Sequence, residues 1–318
     1  NGATTAAGAE YTNIVKRNAF WMQRTLERNP LFEDVQAVPW ARVPVVRGRM
    51  LRVGNPGSAD GSIQFDICFG NNRAVRNSKL LREYAFLNDR VTYVMILIKI
   101  WAKAGVDIAS ASDGTLSSYT WMNLVIFYLQ VIDFVPNLQS KDLLGEYGRW
   151  ATAGGGKRER RPASERTDDS LDYAHLTAAE VHRSGIWRQP EHLRHVSVSS
   201  LLLGFFEYYA FSFNRAFLAV SIRVGRPTLL KTAFRKAQLD RFCIEDPFET
   251  HASAEVHDLG MHASEDGQRW ITEKMQCSAE AMKKIIVKIE EEGPCREVDV
   301  DSINFLWGDD AMHCLGRF

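Results

Sequence analysis

The hydrophobic period of the chain changes at Asn72, and this change limits the folds that the chain can adopt. Before this residue, short β-rich runs are separated by turn residues; after it, apolar residues recur every three to four positions. The predicted strands are Val35 to Val38, Val43 to Val46, Met50 to Val53 and Ile63 to Phe69, preceded by a helix from Tyr11 to Leu26. Because strands and helices do not alternate as βαβ units, we expect an α+β protein.

The second part of the chain is predicted to be mostly helical. Its predicted helices are Ala74 to Leu87, Arg90 to Ala104, Ser117 to Phe134, Val196 to Phe213 and Ser278 to Glu292, with a β-like segment at Ala219 to Val224. Residues 140–195 contain three consecutive glycines and a cluster of charges, which is typical of an exposed loop or insertion. We expect lobes at 1–72 and 73–318, with a ligand cleft between them.

Composition excludes several classes of protein. The 39 Lys and Arg residues balance 39 Asp and Glu, so binding of nucleic acid by bulk positive charge is not expected. Apolar runs are far shorter than the roughly 20 residues that span a bilayer, which predicts a soluble protein without a membrane partner. Five cysteines without a CxxC pair favour a reducing, intracellular compartment and argue against zinc. The first ten residues include no initiator Met and no signal or transit pattern, so we expect an internal starting point.

Asp66 is the first candidate for chemistry. Strand alternation puts Phe65 and Ile67 on one face and Gln64, Asp66 and Cys68 on the other. A carboxylate in the middle of a strand is either exposed at the surface or bound to a positive group. Two interpretations therefore stay open: an exposed side chain, or a ligand for Mg²⁺, which prefers one or two carboxylates plus phosphate oxygens.

Lys99 and Lys103 are the second candidates. They are four residues apart on an otherwise apolar predicted helix, so they project from one face, one turn apart, with no acid in that turn. Two aligned ammonium groups suit a phosphate between them, although two solvated lysines explain the spacing equally well.

The segment Thr115 to Tyr119 opens a predicted helix with three hydroxyl residues. Hydroxyls and free amides at a helix N-terminus suit either a phosphate or ordinary capping. The ring of Tyr119 could stack on a base or pack in the core. Together with Asp66 and the two lysines, this segment suggests a site for a nucleotide with its phosphates and metal.

The order of several motifs resembles the noncanonical poly(A) polymerase and terminal uridylyltransferase family, of the polymerase-β-like nucleotidyltransferase superfamily. Among its members, the uridylyltransferases of kinetoplastid parasites look most similar. The resemblance covers roughly residues 42–260. The motifs that carry it are Arg42 to Val46, Phe65 to Ile67, Ala74 to Leu81, Ile98 to Lys103, Gly114 to Tyr119, Val135 to Gln139, Ser199 to Tyr209 and Ile244 to Glu249.

The resemblance implies a catalytic and a triphosphate-binding set of residues. Asp66 matches the third carboxylate of a catalytic triad that binds Mg²⁺ (or Mn²⁺) and activates the RNA 3′ hydroxyl. Asn77 and Ser78 match residues that contact the ribose and the base edge. Lys99 and Lys103 match lysines that hold the triphosphate.

The resemblance also implies residues that recognise the nucleotide. Ser118 is similar to a phosphate-contacting serine, and Tyr119 matches the aromatic residue that stacks on the base. Asp246 and Glu249 match an acidic pair that favours uracil through water. This role agrees with the chemistry, because carboxylates only accept hydrogen bonds and uracil N3 donates one.

Two departures from the family pattern bear on this interpretation. No Gly-Ser motif and Asp-x-Asp strand precede Asp66, so we expect the chain to be cut upstream, with the leading palm strands missing. A catalytically inert relative is the alternative. Residues 251–256 look inserted after Glu249, and either His251 or His257 could take the role of a histidine that rejects ATP.

The expected function is therefore template-independent addition of uridylyl residues from UTP to an RNA 3′ end. The alternatives are an adenylyltransferase (a poly(A) polymerase) and an inactive subunit that acts as a scaffold in a ribonucleoprotein complex. We expect further subunits of an RNA-processing complex as partners, and a mitochondrial rather than a cytoplasmic location. The domain prediction is the C-terminal part of a palm domain at 1–72 and a helical nucleotide-recognition domain at 73–318.

Overall fold

The computed structural model describes residues 6–41, 43–51, 62–155, 174–226, 228–234, 241–248 and 257–292. It has a small antiparallel sheet and many helices, which confirms the α+β class. The chain divides into two compact units, Asn1–Arg76 and Asn77–Phe318, and each is described by itself. The elements, in chain order, are α1 (Ala6–Glu27), β1 (Phe32–Val38), β2 (Val45–Leu51), β3 (Ser62–Cys68), α2 (Asn72–Leu87), α3 (Asp89–Ile100), α4 (Ser118–Val131), α5 (Lys141–Trp150), α6 (Ala178–Ser184), α7 (Val198–Glu207), β4 (Leu218–Ala219), β5 (Leu229–Leu230) and α8 (Glu265–Glu292).

The first unit is a three-stranded sheet with one helix against it. The strands are antiparallel in the order β1-β2-β3, and α1 packs against β1 and β2. Val46 on β2 is fully buried, and it pairs with Ala37 and Ile67 in the strand register. Because the neighbouring positions on the other face are exposed, α1 covers the face that carries Val46.

Strand β2 corrects the sequence-based prediction of two separate strands at Val43 to Val46 and Met50 to Val53. The apolar alternation is interrupted at Gly48, yet the strand continues through it. Gly48 pairs with Phe65, and a Cβ at Gly48 would lie 2.9 Å from Cζ of that ring. The glycine therefore leaves space for the ring of Phe65, which meets Phe32 edge to face with ring centroids 5.5 Å apart.

The second unit is built around α4. Every residue from Thr120 to Gln130 is buried, so this helix has no solvent face over three turns. Trp101 packs against it, with its ring 5.3 Å from that of Trp121, and its indole N–H donates to Ser278 Oγ of α8 at 2.9 Å. The core of the second unit thus joins α4, α8 and the segment after α3.

Three predicted helices differ from those observed. The segments Arg90 to Ala104 and Val196 to Phe213 are each an α-helix followed by a π-helical turn, at Trp101–Gly105 and Tyr208–Ser212. Helix α8 begins at Glu265, well before the predicted Ser278. Its first turns contain polar residues and Gly267, which weaken the helical signal in the sequence.

The prediction of an exposed loop or insertion over residues 140–195 is wrong for its two ends. Residues 141–150 form α5, with Tyr147 buried, and residues 174–195 include α6, with Leu176 and Val181 buried. The charge cluster that dominates the prediction falls within residues 156–173, which lie outside the described residues, as does the last of the three glycines. Of the predicted strand from Ala219 to Val224, only Ala219 lies in a strand, and Val220 forms an isolated bridge with Ile244.

Candidate functional site

Asp66 lies on the exposed face of β3. The burial of β3 follows the predicted alternation, with Gln64, Asp66 and Cys68 exposed and Phe65 and Ile67 half-buried. Within the part of the chain that the structure describes, Asp66 makes no hydrogen bond or ion pair, and Arg47 occupies the position opposite it on β2. The carboxylate is therefore available to a ligand, which agrees with both interpretations drawn from the sequence.

A divalent metal can be tested against this arrangement. The described ranges contain no group of three or more His, Cys, Asp or Glu side chains that could hold a metal ion. Asp66 is an exposed carboxylate without a protein partner there, and Mg²⁺ accepts one or two carboxylates together with phosphate oxygens. Asp66 thus fits as one ligand of an ion that a nucleotide also binds.

Asn77 and Ser78 lie side by side on α2, at the start of the second unit. Ser78 is exposed and Asn77 is half-buried. The Oδ1 atom of Asn77 is buried and has no hydrogen-bond partner among the described residues. An amide oxygen in this state is an acceptor that a polar ligand group could satisfy. Contact of either residue with a ribose stays a prediction.

Lys99 and Lys103 flank the end of α3. Lys99 is in the last turn of the helix, whereas Lys103 is in the π-helical turn that follows. Both side chains are exposed, and neither makes a hydrogen bond or ion pair within the described ranges. Trp101 and Ala102, which lie between them, are fully buried. The two lysines therefore lie on the solvent side, and no acid pairs with either of them among the described residues.

The hydroxyl residues at the N-terminus of α4 differ in whether they cap the helix. Ser117 is the N-cap, and its hydroxyl oxygen accepts from the amide of Thr120 at 3.1 Å. Thr115 is buried and its hydroxyl donates to the Ser110 carbonyl at 2.8 Å. Ser118 is half-buried, and its hydroxyl makes no hydrogen bond within the residues described. Capping thus accounts for Ser117 and leaves the Ser118 hydroxyl available.

The two indoles of Trp101 and Trp121 join the lysine segment to the start of α4. Trp101 lies between Lys99 and Lys103, and Trp121 follows Ser118 by less than one turn. The indole N–H of Trp121 donates to the Ile108 carbonyl at 3.0 Å. Tyr119 is half-buried, and its own carbonyl accepts from Asn123 Nδ2 at 2.9 Å. Stacking of a base on Tyr119 stays a prediction.

Asp246 and His257 are brought together by backbone pairing. The amide of Asp246 donates to the carbonyl of His257 at 3.1 Å, beside an isolated bridge between Glu245 and Asp258. Asp246 is buried, and its Oδ1 accepts from the amide of Phe248 at 2.9 Å, which fixes the direction of the carboxylate. Glu249 and His251, the other predicted residues of this group, lie outside the described residues.

Glu245, which precedes Asp246 in the chain, is a buried charged residue that sequence reasoning missed. Its side chain is fully buried, it accepts from the hydroxyl of Ser221, and it pairs with Arg223 at 2.5 Å. A buried carboxylate needs such partners to offset its desolvation. The apolar residues that precede Glu245 in the sequence are the one signal that could have indicated its burial.

Gln139, the last residue of the motif Val135 to Gln139, contacts the segment after Asp246, a role that the sequence did not indicate. It is buried, and its Nε2 donates to the carbonyl of Pro247 at 3.2 Å. The preceding residue, Leu138, donates its amide to Tyr84 Oη at 3.2 Å, and burial raises the pKa of Tyr84 well above its ordinary value of 10.0. Tyr84 is therefore a neutral hydrogen-bonding group in the core.

Comparison with protein families matches two parts of the chain. Residues 10–86 match a family model described as the central palm domain of mitochondrial-like poly(A) RNA polymerases, and residues 197–252 match one described as Cid1 family poly A polymerase. These two segments fall respectively over the sheet with its helix and over the region from α7 to Asp246.

Comparison with curated proteins finds relatives of two activities. The chain is 30% identical to poly(A) RNA polymerase GLD2 of Mus musculus over 227 residues, which is 69% of this chain and 38% of that protein. It is 28% identical to terminal uridylyltransferase 7 of Homo sapiens over 266 residues, or 82% of this chain and 15% of that protein. The chain thus spans well under half the length of these relatives.

Solved structures of the Cid1 poly(U) polymerase have a similar fold. One, bound to magnesium and 3′-dATP, has a TM-score of 0.64 and 26% identity, and covers 92% of this chain and 76% of its own. Another, in complex with the UTP analogue UMPNPP, has a TM-score of 0.63 and 25% identity, and covers 91% of this chain and 77% of its own.

Proposed function

Because the chain belongs to the noncanonical poly(A) polymerase and terminal uridylyltransferase family, we propose that it is a template-independent RNA nucleotidyltransferase that adds uridylyl residues from UTP to an RNA 3′ end. In this reaction the 3′ oxygen forms a bond to the α-phosphorus, the bond from that phosphorus to the bridging oxygen breaks, and pyrophosphate leaves. The observation that carries the uridylyl assignment is the buried carboxylate of Asp246, which accepts from the Phe248 amide and stands on backbone paired with that of His257.

The choice of base follows from what a carboxylate can do. Asp246 only accepts hydrogen bonds, and uracil presents a donor at N3, whereas adenine presents an acceptor at the corresponding N1. A carboxylate near this edge therefore favours uracil, directly or through water. Glu249 and His257 would act with it. His251 is the alternative to His257 as the residue that rejects ATP.

The other predicted residues would act on the phosphates and on the attacking hydroxyl. Lys99 and Lys103 are exposed cations without protein partners in the described ranges, which suits binding of the triphosphate and of the departing pyrophosphate. Ser118 would donate to a phosphate oxygen. Asp66 would orient the 3′ hydroxyl and hold Mg²⁺ (or Mn²⁺), which, when bound, stabilises charge on the attacking and leaving oxygens.

Asn77, Ser78 and Tyr119 would hold the nucleoside. The half-buried Asn77, with its unpaired Oδ1, suits a ribose hydroxyl, and Ser78 would reach the base edge. The ring of Tyr119 would stack on the base, a contact that is tolerant of base identity because every base has a π face. Specificity therefore rests on Asp246 and its neighbours and not on Tyr119.

Primer extension with each of the four nucleotides tests the activity. The complete protein should extend an RNA primer with UTP in preference to ATP, GTP and CTP. Extension with ATP in preference would make it an adenylyltransferase, as the GLD2 relatives are named, and RNA binding without any extension would support the scaffold alternative.

Asp66→Asn tests the catalytic assignment against a matched control, Gln64→Asn. Both positions are exposed on the same face of β3, so neither change should alter folding. Loss of a metal-binding carboxylate removes several kcal/mol of transition-state stabilisation, so Asp66→Asn should lower kcat by about 100-fold or more. The control should retain activity. Equal activity of the two variants would show that Asp66 is not catalytic.

Asp246→Asn tests the specificity assignment. The amide supplies a donor where the carboxylate only accepted, so the ratio of kcat/KM for UTP to that for ATP should fall. This ratio is independent of the fraction of folded enzyme, which matters because Asp246 is buried. A ratio equal to that of the wild type would contradict the role of Asp246.

We also propose a mitochondrial location and association with other subunits of an RNA-processing complex. The first rests on the family resemblance and on the mitochondrial-like description of the matched palm domain. No helix in the described part of the chain is both long and apolar enough to cross a bilayer. Cell fractionation and affinity purification of the complete protein test these two proposals.

A further inference from the structure

Helix α1 has one packed face and one exposed face that differ in chemistry. Val15 and Ala19 are buried against the sheet, whereas Trp21 is 63% exposed and Ile14 is 39% exposed. Five exposed side chains form a row, here called the α1 stripe, at spacings of three and four residues. Its members are Ile14, Arg17, Trp21, Arg24 and Arg28, the last being the residue after the helix.

The row is compact and long enough to contact several nucleotides. At 100° per residue, its members lie within an arc of about 80°, and at 1.5 Å per residue the row is about 21 Å long. Side chains at these spacings lie one above another on a helix surface. The α1 stripe is therefore a continuous surface and not a set of scattered exposed residues.

The three arginines of the α1 stripe have no carboxylate partners within the described ranges. Glu27, whose side chain is described, lies off the row and accepts from Gln23 Nε2 at 2.8 Å. Residues 1–76 contain ten Lys and Arg against six Asp and Glu, although the whole chain is balanced at 39 and 39. The stripe thus lies on a unit with excess positive charge.

The two exposed tryptophans of this unit differ in what covers their rings. The ring of Trp40 is covered by the ammonium group of Lys16, 3.9 Å from its centroid. The ring of Trp21 has no aromatic or cation contact within the part of the chain described. An exposed, uncovered indole flanked by arginines is suited to stack on a base while the guanidinium groups contact phosphates.

We infer that the α1 stripe binds single-stranded RNA, upstream of the 3′ end that reacts. This inference rests on the proposed function, in which RNA is the substrate. Charge complementarity favours a polyanion, and the indole among the arginines favours one with bases over an acidic peptide. Because α1 covers the sheet face opposite Asp66, RNA on the stripe is separated from Asp66 by the sheet and the helix. A trinucleotide that reaches Asp66 would therefore not reach the stripe.

The test compares Trp21→Ala and the triple variant Arg17→Gln/Arg24→Gln/Arg28→Gln with Trp40→Ala, all in the complete protein. The probe is a fluorescent oligouridylate of about 20 nucleotides, titrated at several salt concentrations. Loss of one stacked base should raise Kd about 10-fold for Trp21→Ala. The triple variant should flatten the dependence of log K on log salt by about 2, or 0.7 for each lost phosphate contact. Trp40→Ala should bind as the wild type does.

Nucleotide addition separates this inference from the proposed function. Addition to a trinucleotide should be unchanged in the stripe variants, and addition to the long RNA should fall at subsaturating RNA. If the wild type adds no nucleotide but the stripe variants lose RNA affinity, the proposed function fails and the stripe stands. The inference would be overturned if both stripe variants bound RNA with the affinity and the salt dependence of the wild type. This holds whether or not those variants lose a protein partner.

Discussion

Gly267 offers a sharp test of the packing between α8 and the loop before α4. The amide of Ser264 donates to the carbonyl of Gly114 at 2.8 Å, and the Ser264 hydroxyl accepts from the amide of Gly267 at 3.0 Å. A Cβ at Gly267 would lie closer than 3.0 Å to the Gly114 carbonyl oxygen, and 3.1 Å from Ser264 Oγ. The first turn of α8 therefore has no space for a methyl group.

The magnitude for Gly267→Ala follows from three contributions. Overpacking against a backbone carbonyl costs about 1–3 kcal/mol, because the peptide cannot move aside as a flexible side chain would. Disturbing the hydroxyl cap of Ser264 costs about 1 kcal/mol more. The higher helix propensity of alanine offsets about 1 kcal/mol. The net effect is a loss of about 1–3 kcal/mol.

Gly148→Ala in α5 is the matched control. It is also a glycine within a helix, but a Cβ there would meet nothing within 4 Å. Only the propensity gain of about 0.5–1 kcal/mol should remain. Thermal unfolding followed by circular dichroism should show Gly267→Ala below the wild type and Gly148→Ala at or above it. Each kcal/mol corresponds to about 2–4 °C for a domain of this size. Equal stabilisation by both changes would refute the close approach of α8 to Gly114.

Three further predictions concern buried polar groups. Burial raises the pKa of Tyr128 and Tyr208 to about 12, and it raises the pKa values of Tyr84 and Tyr209 above the ordinary 10.0. The contribution of these neutral hydroxyls to stability is therefore complete below pH 10 and is lost as the pH rises toward 12. Tyrosinate absorbance at 295 nm should therefore rise together with loss of ellipticity, and separate transitions would contradict this coupling. Burial raises the pKa of Cys243 to about 12, so a thiol reagent at pH 8 should label the exposed Cys68 and Cys277 and spare Cys243 until unfolding, as peptide mass spectrometry would show. Arg223→Met leaves the buried Glu245 without its cation and should lower the free energy of unfolding by about 3–5 kcal/mol. The control Arg226→Met removes an exposed ion pair with Asp133 and should lower it by at most about 1 kcal/mol. Equal losses of the two variants in urea titrations would contradict a special role for Glu245.

The parts of the fold that the sequence predicts well are those with a strong local signal. The alternation from Gln64 to Cys68 in β3 and the period of α2 agree with the observed burial, because one face is packed and the other is exposed to solvent. The sequence predicts α4 because the segment is mostly apolar and is bounded by Ser117 and Pro136. In each case a local pattern reflects a uniform environment.

The parts that could not be predicted depend on contacts distant in sequence. Gly48 interrupts the apolar alternation of β2, and a glycine stands there because the ring of Phe65 on β3 occupies the space that a side chain would need. Gly267 weakens the helical signal at the start of α8, and a glycine stands there because the carbonyl of Gly114 lies where a Cβ would be. Such glycines look like turn or loop residues until the neighbour that needs the space is known.

The same distinction between local patterns and distant contacts applies to the candidate site. The exposure of Asp66, Lys99 and Lys103 follows from the hydrophobic period of β3 and of the predicted helix from Arg90 to Ala104 alone. The backbone pairing of Asp246 with His257 does not, because ten residues separate them in the sequence and they meet through backbone contacts that include the bridge between Glu245 and Asp258. The sequence also does not predict that Ser117 caps α4 and Ser118 does not, because both serines stand at the start of the helix.

The backbone bridge at Asp246 and His257 has a consequence for chain length. Its hydrogen bonds, at 3.1 Å from Asp246 to His257 and 2.8 Å from Leu259 to Ile244, hold together residues 244–246 and 257–259, the two ends of the intervening stretch of chain. Closing a chain segment costs only about 0.6 kcal/mol more for each doubling of its length. Residues can therefore be added or removed between the two ends at small entropic cost, while the separation of Asp246 and His257 stays the same. The insertion that the sequence predicts after Glu249 would therefore leave the backbone at Asp246 in place.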